Sequence, residues 1–177
     1  MIRTLAALLL LTAAPLAAQQ PAPPAAPAAR PEDVSSIDAI LRATYDVISG
    51  PAGPRDWDRF RSLFAPGARL IPTACPRGQA CRPRTISVDE YIESGGDYFL
   101  QNSFYELESH RVEERYGHVA HVFSTYESRT APGEAPFTRG INSFQLFWDG
   151  TRWWVVSIFW NDESSAGPIP VKYLPKP

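Results

Sequence analysis

Residues 139–162 read RGINSFQLFWDGTRWWVVSIFWND, with the pair Asp149-Gly150 between two apolar runs. An Asp-Gly pair in this setting is a strong hairpin signal, because both central residues of the tight turn must tolerate positive φ. Apolar residues alternate before the turn, and β-branched and aromatic residues fill the stretch after it. The stretch therefore predicts two long antiparallel strands. We expect the second strand to be buried on both faces, with helices from upstream as its cover.

The composition predicts a single domain. The 177 residues are 44% hydrophobic and 20% charged, which is enough apolar material for one ordinary core. The net charge is −2, and lysine and arginine are scattered along the chain. Because a nucleic-acid surface needs clustered positive charge, we expect no nucleic-acid partner.

Residues 1–18 have the form of a secretory signal peptide. Arg3 precedes an apolar run from Leu5 to Leu11, and small residues follow as far as Ala18. This run is short for a membrane span, which needs about 20 apolar residues. We therefore expect a periplasmic or secreted protein with no membrane attachment after cleavage.

The rest of the chain divides into a linker, a domain and a tail. Residues 19–32 are rich in proline and alanine and predict an extended linker. The predicted domain covers residues 33–164, and a Pro-rich tail occupies residues 165–177. Three apolar tail residues are expected to anchor it to the domain surface: Ile169, Tyr173 and Leu174.

Cys75 and Cys81 are close in sequence, and Gly78 can turn the chain between them. In an oxidising compartment this spacing favours a local disulfide. A metal site needs more ligands than two thiolates, and no histidine is near in sequence. We therefore expect a disulfide and no metal.

Three helices are predicted before the strands. The first has a capping signature at Ser35 and ends at Gly50, the second carries an apolar stripe and ends at Pro66, and the third begins with the capping box Ser87-x-x-Glu90. From about residue 104 the pattern changes to strands, with a hairpin around Gly117 whose first strand is strongly polar. This first strand is expected to have one solvated face.

Helices followed by long antiparallel strands are typical of an α+β fold. The chain resembles the NTF2-like, or SnoaL-like, superfamily over about residues 33–162. The segments that carry the resemblance are the opening helix with Tyr45, WDRFRSLFAPGARL, VAHVFSTYE and DGTRWWVVS. The resemblance implies a cone-shaped half-barrel, in which three N-terminal helices pack in a strongly curved, mostly antiparallel sheet around a pocket. Because this fold hosts enzymes, binding modules and homodimers, it does not name a function.

Ketosteroid isomerases are a more distant likeness. In that family a helix tyrosine and a protonated acid hold an oxyanion while a strand carboxylate moves the proton. Tyr45 falls at the place of the tyrosine, and Asn142 falls at the place of the protonated acid, where its amide can donate a hydrogen bond. Ile71 or Pro72 stands where the family has its carboxylate base. Without a base the likeness does not imply isomerase activity of that kind.

His121 is the most interesting titratable residue of the strands, because its neighbours Ala120 and Val122 are apolar. It is either a core histidine with a satisfied hydrogen bond or a pocket acid or base that Glu127, on the same strand face, orients. His118 is three residues away and points to the opposite face, so the two histidines do not share a metal.

The predicted pocket takes a small apolar or aromatic molecule with one or two polar handles. Its expected lining residues are Tyr45, Trp57, His121, Asn142 and Trp160. Three functions stay open: ligand binding without turnover, a dehydratase, isomerase or hydrolase that uses His121 and Glu127, and a homodimerising interaction module. No nucleophile elbow or phosphate loop is present in the sequence, and no cofactor is expected.

Overall fold

The computed structural model describes residues 26–176, so the predicted signal peptide and the first part of the predicted linker lie outside the described residues. Five α-helices and six β-strands are present in this part of the chain. The helices are α1 Pro31–Val34, α2 Ile37–Ile48, α3 Trp57–Leu63, α4 Val88–Gln101 and α5 Glu163–Ala166, and the strands are β1 Phe64–Ala74, β2 Arg82–Pro83, β3 Tyr105–Tyr116, β4 Val119–Arg129, β5 Thr138–Trp148 and β6 Trp153–Asp162.

The six strands form one curled sheet that does not close. Their order is β2-β1-β6-β5-β4-β3, and every neighbouring pair is antiparallel except β1 and β6, which are parallel. Helix α2 contacts both β3 and β6, although two strands separate these in the sheet. One helix can reach both only if the sheet curls around it. The predicted α+β fold, with helices packed in a curved and mostly antiparallel sheet, is confirmed.

Helix α2 forms the centre of the core because nine of its twelve residues are buried. Its N-cap is Ser36, whose extended backbone lets its side chain accept a hydrogen bond from the amide of Ala39. The sequence prediction of Ser35 as the cap was therefore wrong by one residue. Ser35 has helical backbone angles because it ends the short helix α1.

Helix α3 ends at Leu63, three residues before the predicted end at Pro66. Phe64 is already extended and pairs with Val155 of β6, so the segment with Pro66 and Gly67 belongs to β1. The ladder shifts register between Phe64 and Arg69. Strand β1 begins earlier than the sequence predicts because it pairs with β6. This pairing joins residues far apart in the chain, so no local signal in the sequence indicates it.

The predicted hairpin of β5 and β6 is confirmed, and Trp148 pairs with Trp153 across its turn. Gly150 has a φ of 105° there. The expectation that β6 is buried on both faces was wrong, because Val156 and Phe159 are 41% and 44% exposed. The helices cover only the concave face of the sheet, so the side chains of β6 that point to the convex face stay partly exposed. A register shift against β5 at Val156 interrupts the strict alternation of the two faces.

Two local predictions are confirmed in full. The capping box of α4 has both reciprocal hydrogen bonds, between Ser87 and Glu90. Cys75 and Cys81 form a disulfide.

The tail packs on the convex face of the sheet. Ile169 is buried, and Thr125 of β4 donates a hydrogen bond to the carbonyl of Tyr173 at 2.6 Å. The rings of Tyr173 and Phe123 lie 4.9 Å apart. The tail therefore covers part of the face that the helices leave open. None of the helices within residues 26–176 has the length and apolar character needed to cross a membrane.

Candidate functional site

A cavity of about 220 Å³ lies between the concave face of the sheet and helices α2 and α4. Seven aromatic rings, three aliphatic side chains and five polar side chains line it. The rings belong to Tyr45, Phe60, Tyr91, Phe104, Tyr126, Phe144 and Trp160, the aliphatic residues are Ile48, Leu70 and Ile158, and the polar ones are Thr44, Glu106, Ser128, Thr138 and Asn142.

A chain of hydrogen bonds crosses one wall of the cavity. The amide of Asn142 donates to the hydroxyl of Tyr45 at 3.1 Å, and that hydroxyl lies 2.7 Å from the hydroxyl of Ser124. Ser124 in turn donates to the carboxylate of Glu108. Strand register explains the meeting, because Asn142 pairs with Ser124 on one side and with Trp160 on the other, which turns all three side chains to one face.

Glu106 brings a carboxyl group into this cavity. It lies on β3 opposite Ser128, whose hydroxyl donates to its Oε2 at 2.8 Å. Burial raises the pKa of Glu106 from 4.5 to about 7, and hydrogen bonds from Ser128 and Asn142 oppose that rise. The residue is half-buried, and its remaining surface faces the cavity and a neighbouring groove. Near neutral pH this carboxyl therefore exists in both protonation states.

Glu106 also affects the tyrosines around it. Burial first, and the charge of Glu106 second, raise the pKa of Tyr45, Tyr91 and Tyr126. All three phenols are therefore neutral hydrogen-bonding groups at physiological pH.

Three of the five predicted pocket residues line the cavity, namely Tyr45, Asn142 and Trp160. Trp57 instead packs its ring at 5.7 Å from the rings of both Phe60 and Phe99, outside the cavity lining. The remaining residue, His121, lies elsewhere.

His121 lies on the convex face of the sheet, so the expectation that it faces the pocket is not met. Its Nε2 lies 3.0 Å from the hydroxyl of Ser143, and its Nδ1 lies 3.6 Å from a carboxylate oxygen of Glu114. Glu127 shares this convex face, as predicted, but it pairs with Arg129. The apolar neighbours of His121 point to the opposite side of the strand, and this alternation was the signal that sequence reasoning overlooked.

Sequence reasoning missed Glu106 because β3 is strongly polar and its carboxylates indicated a solvated face. The signal was the alternation of Phe104, Glu106 and Glu108, which places an aromatic ring and two acids on one side of the strand. Only the pairing of Glu106 with Ser128 shows that this side is the concave one.

A second space, a groove of about 720 Å³, runs between α2 and β3. Tyr45 and Glu106 line both the groove and the cavity. The groove is larger, but part of its charge is taken up in ion pairs, because Arg111 pairs with Asp38 and with Glu108. The cavity therefore has the stronger character of a binding site, since it combines an apolar wall with convergent polar groups.

The side chains of the site are suited to binding a small molecule. Within the described residues no group of three or more histidine, cysteine, aspartate or glutamate side chains is placed to hold a metal. The aromatic wall can hold an apolar body, and Tyr45, Asn142 and Glu106 can meet one polar end of it. Glu106 can also give or take a proton there.

No protein-family model and no curated protein matches the chain. Among solved structures, the Kfla4162 protein from Kribbella flavida is similar with a TM-score of 0.51 and 12% identity, over 72% of this chain and 88% of that chain.

Two further similar structures are described as NTF2-like proteins of unknown function. The one from Shewanella baltica has a TM-score of 0.45 at 15% identity, over 71% of this chain and 90% of that one. The one from Methylobacillus flagellatus has a TM-score of 0.48 at 13% identity, over 72% and 94%. At such identities the likeness is one of fold and not of activity. The helices packed inside a curled, unclosed sheet are the arrangement that the resemblance to the NTF2-like superfamily predicts.

Proposed function

We propose that this chain is an exported protein whose NTF2-like domain binds a small, mostly apolar molecule in the cavity. The observation that carries the proposal is the lining itself, in which six aromatic rings surround the phenol of Tyr45 and the polar side chains of Glu106 and Asn142. Such a combination is typical of small-molecule sites. The signal-peptide pattern and the disulfide support export.

The size of the cavity limits the ligand. A volume of about 220 Å³ is below the roughly 300–1,000 Å³ of sites for drug-sized molecules. A molecule with one substituted ring fits this volume better than a fused polycyclic one. Its ring meets Phe60, Phe144 and Trp160, and its polar substituent meets Asn142 and Glu106.

Binding is tested with three probes that share one apolar body, namely toluene, benzyl alcohol and benzylamine. Amide NMR spectra of the full chain after export are recorded with each probe. We expect at least one probe to shift the amide signals of Tyr45, Asn142 and Trp160, with smaller changes on the convex face. If none of the three shifts these signals, the proposal is wrong.

A matched pair of variants locates the binding. Thr138→Trp fills the cavity from β5, and Gln145→Trp adds the same side chain on the exposed convex side of the same strand. We expect the first variant to abolish the shifts and the second to keep them. Equal effects of the two variants would place the bound probe outside the cavity.

Glu106 favours a second candidate, an enzyme that transfers a proton within the cavity. A carboxyl with a pKa of about 7 in an apolar site is suited to general acid-base chemistry. In this candidate Glu106 takes the role that the sequence suggested for His121 and Glu127. The test is exchange of the α-protons of cyclohexanone in deuterated water, followed by NMR. Proton transfer by Glu106 is supported if exchange is faster than in buffer and if the Glu106→Gln variant loses this acceleration. Exchange at the buffer rate refutes it for this ketone.

A further inference from the structure

We propose that the ligand of the cavity is a small organic cation, a protonated amine with an apolar body, whose charged nitrogen pairs with Glu106. This inference rests on the proposed function, because it names the class of molecule that the same cavity takes. Two observations support it: the lining holds one acid and no base, and aromatic rings form its walls. It also predicts that Glu106 releases a proton when the ligand binds.

The lining holds one acid and no base. Of the residues that line the cavity, only Glu106 can carry a negative charge at neutral pH, and none is lysine, arginine or histidine. Its hydrogen-bond partners, Ser128 and Asn142, are neutral. A charge in such an environment is normally paired, because an unpaired one loses its hydration without compensation. A cationic ligand supplies the partner that the protein lacks here.

The charged groups around Glu106 do not replace that partner. The groups that approach Glu106 from helices α2 and α4 and from β4 are the neutral phenols of Tyr45, Tyr91 and Tyr126. On the groove side the charged lining residues are Asp38, Arg42, Asp46, Glu108, Arg111, Arg129 and Glu134.

Two of the three groove arginines have close carboxylates, although Nη1 of Arg129 is buried with no hydrogen-bond partner among the described residues. None of the three, Arg42 included, lowers the pKa of Glu106. Arg111 pairs with Asp38 and Glu108, and Arg129 pairs with Glu127. More acids than bases line the groove, so its field also favours a cation over an anion.

The aromatic walls favour a cation for a separate reason. The face of an aromatic ring is negative, and a cation within about 6 Å of a ring centroid is attracted to it, most strongly where water is excluded. Seven rings line this cavity, including those of Tyr91, Phe104 and Trp160. A neutral ligand packs against the same rings without this attraction, and an anion is repelled by the ring faces.

Binding of the amine releases a proton. Below about pH 7 the free protein holds Glu106 mainly as the neutral acid. When an ammonium group binds, the carboxyl O–H proton passes to the solvent, and the resulting carboxylate accepts a hydrogen bond from the ammonium. Affinity therefore rises with pH up to about 7 and is level above it. Between pH 8 and pH 5 we expect it to fall by about a hundredfold, since the ligand competes with the proton.

The test compares benzylamine with benzyl alcohol, which has nearly the same shape and no charge. Both are titrated calorimetrically into the full chain after export at pH 8. We expect benzylamine to bind at least about tenfold more tightly, the scale of one charge-assisted hydrogen bond. At pH 6, titrations in two buffers of different ionisation enthalpy should show release of close to one proton per bound amine, about 0.9 for a pKa near 7.

Two variants of β3 separate the role of Glu106 from net charge. Glu106→Gln is expected to reduce the preference for benzylamine to near one. Glu114→Gln removes the same charge from a side chain that is 77% exposed, and it should keep the preference. If Glu106→Gln does not fold, the pH dependence of benzylamine affinity and the proton release of the unmodified protein still test the proposal.

The outcomes are distinguishable. Equal or tighter binding of benzyl alcohol, or benzylamine binding without proton release at pH 6, overturns the cation and leaves ligand binding standing. Failure of both molecules and of toluene overturns the proposed function, and this inference with it.

Discussion

Glu106 shows how one residue acquires its chemistry from its surroundings. The same side chain on an exposed strand face would have a pKa near 4.5. Between the aromatic rings of the cavity, burial raises its pKa to about 7, although Ser128 and Asn142 donate hydrogen bonds to it. The folded protein therefore binds this proton more tightly than the unfolded chain does.

This difference makes stability depend on pH in a known direction. A raised carboxyl pKa stabilises the fold at low pH, and the free energy of unfolding falls as pH rises from about 4.5 to about 7, after which the loss is complete. Glu106→Gln cannot ionise. We expect it to be as stable as the unmodified protein at pH 4.5 and more stable at pH 8, by at most about 3 kcal/mol.

Urea unfolding at a series of pH values measures the effect, with Glu114→Gln as the exposed control on the same strand. The control should not change with pH in this way. A Glu106→Gln variant that is less stable at pH 8 than at pH 4.5, relative to the unmodified protein, would contradict the assignment of a buried acid.

Two glycines, Gly140 in β5 and Gly96 in α4, differ in whether their element has room for a side chain. Gly140 lies in β5, and a Cβ atom at this position would lie 2.5 Å from the hydroxyl oxygen of Tyr126 and against the backbone carbonyl of Asn161. Gly96 lies in α4 with nothing within 4 Å of a Cβ atom. The strand therefore depends on its glycine, and the helix does not.

Alanine at the two positions should have opposite effects. Gly140→Ala forces strand β5 away from β6, and we expect it to lower the free energy of unfolding by about 1–3 kcal/mol. Gly96→Ala should raise it by about 0.5–1 kcal/mol, because alanine loses less conformational entropy in a helix. Chemical denaturation of both variants measures the values. A Gly140→Ala protein as stable as the unmodified one would show that the two strands are not in such close contact.

At the scale of the whole molecule, the convex face of the sheet needs its own cover. The helices fill the concave side, and the tail crosses part of the other side, with Ile169 buried and Tyr173 bonded to Thr125. The tail segment from Ile169 to Tyr173 is thus a structural part of the folded unit and not only an appendage.

Truncation tests the role of the tail. A chain that ends at Gly167 loses the burial of Ile169, and we expect its free energy of unfolding to fall by about 2 kcal/mol, the amount for one buried aliphatic side chain. A chain that ends at Leu174 loses only residues beyond these contacts and should be as stable as the full chain. Thermal unfolding of both proteins measures the difference. Equal melting temperatures would show that the tail does not contribute to the stability of the sheet.

The amino-acid sequence by itself determined the features that depend on near neighbours in the chain. The hairpin at Asp149-Gly150, the capping box from Ser87 to Glu90 and the disulfide of Cys75 and Cys81 each need only a few adjacent residues. The order of helices and strands, together with the segments that resemble the NTF2-like superfamily, was sufficient to predict the curled α+β fold. Even the shared face of two residues on one strand follows from the period of two.

Only the tertiary structure decided which face of each strand points into the cone. His121 and Glu127 share a face, as the sequence indicates, but that face is the convex one, whereas Glu106 faces the cavity. The inward face is set by how β3 and β4 pair and by which side α2 covers. These contacts join residues far apart in the chain, and a shift of one residue in register would exchange the two faces.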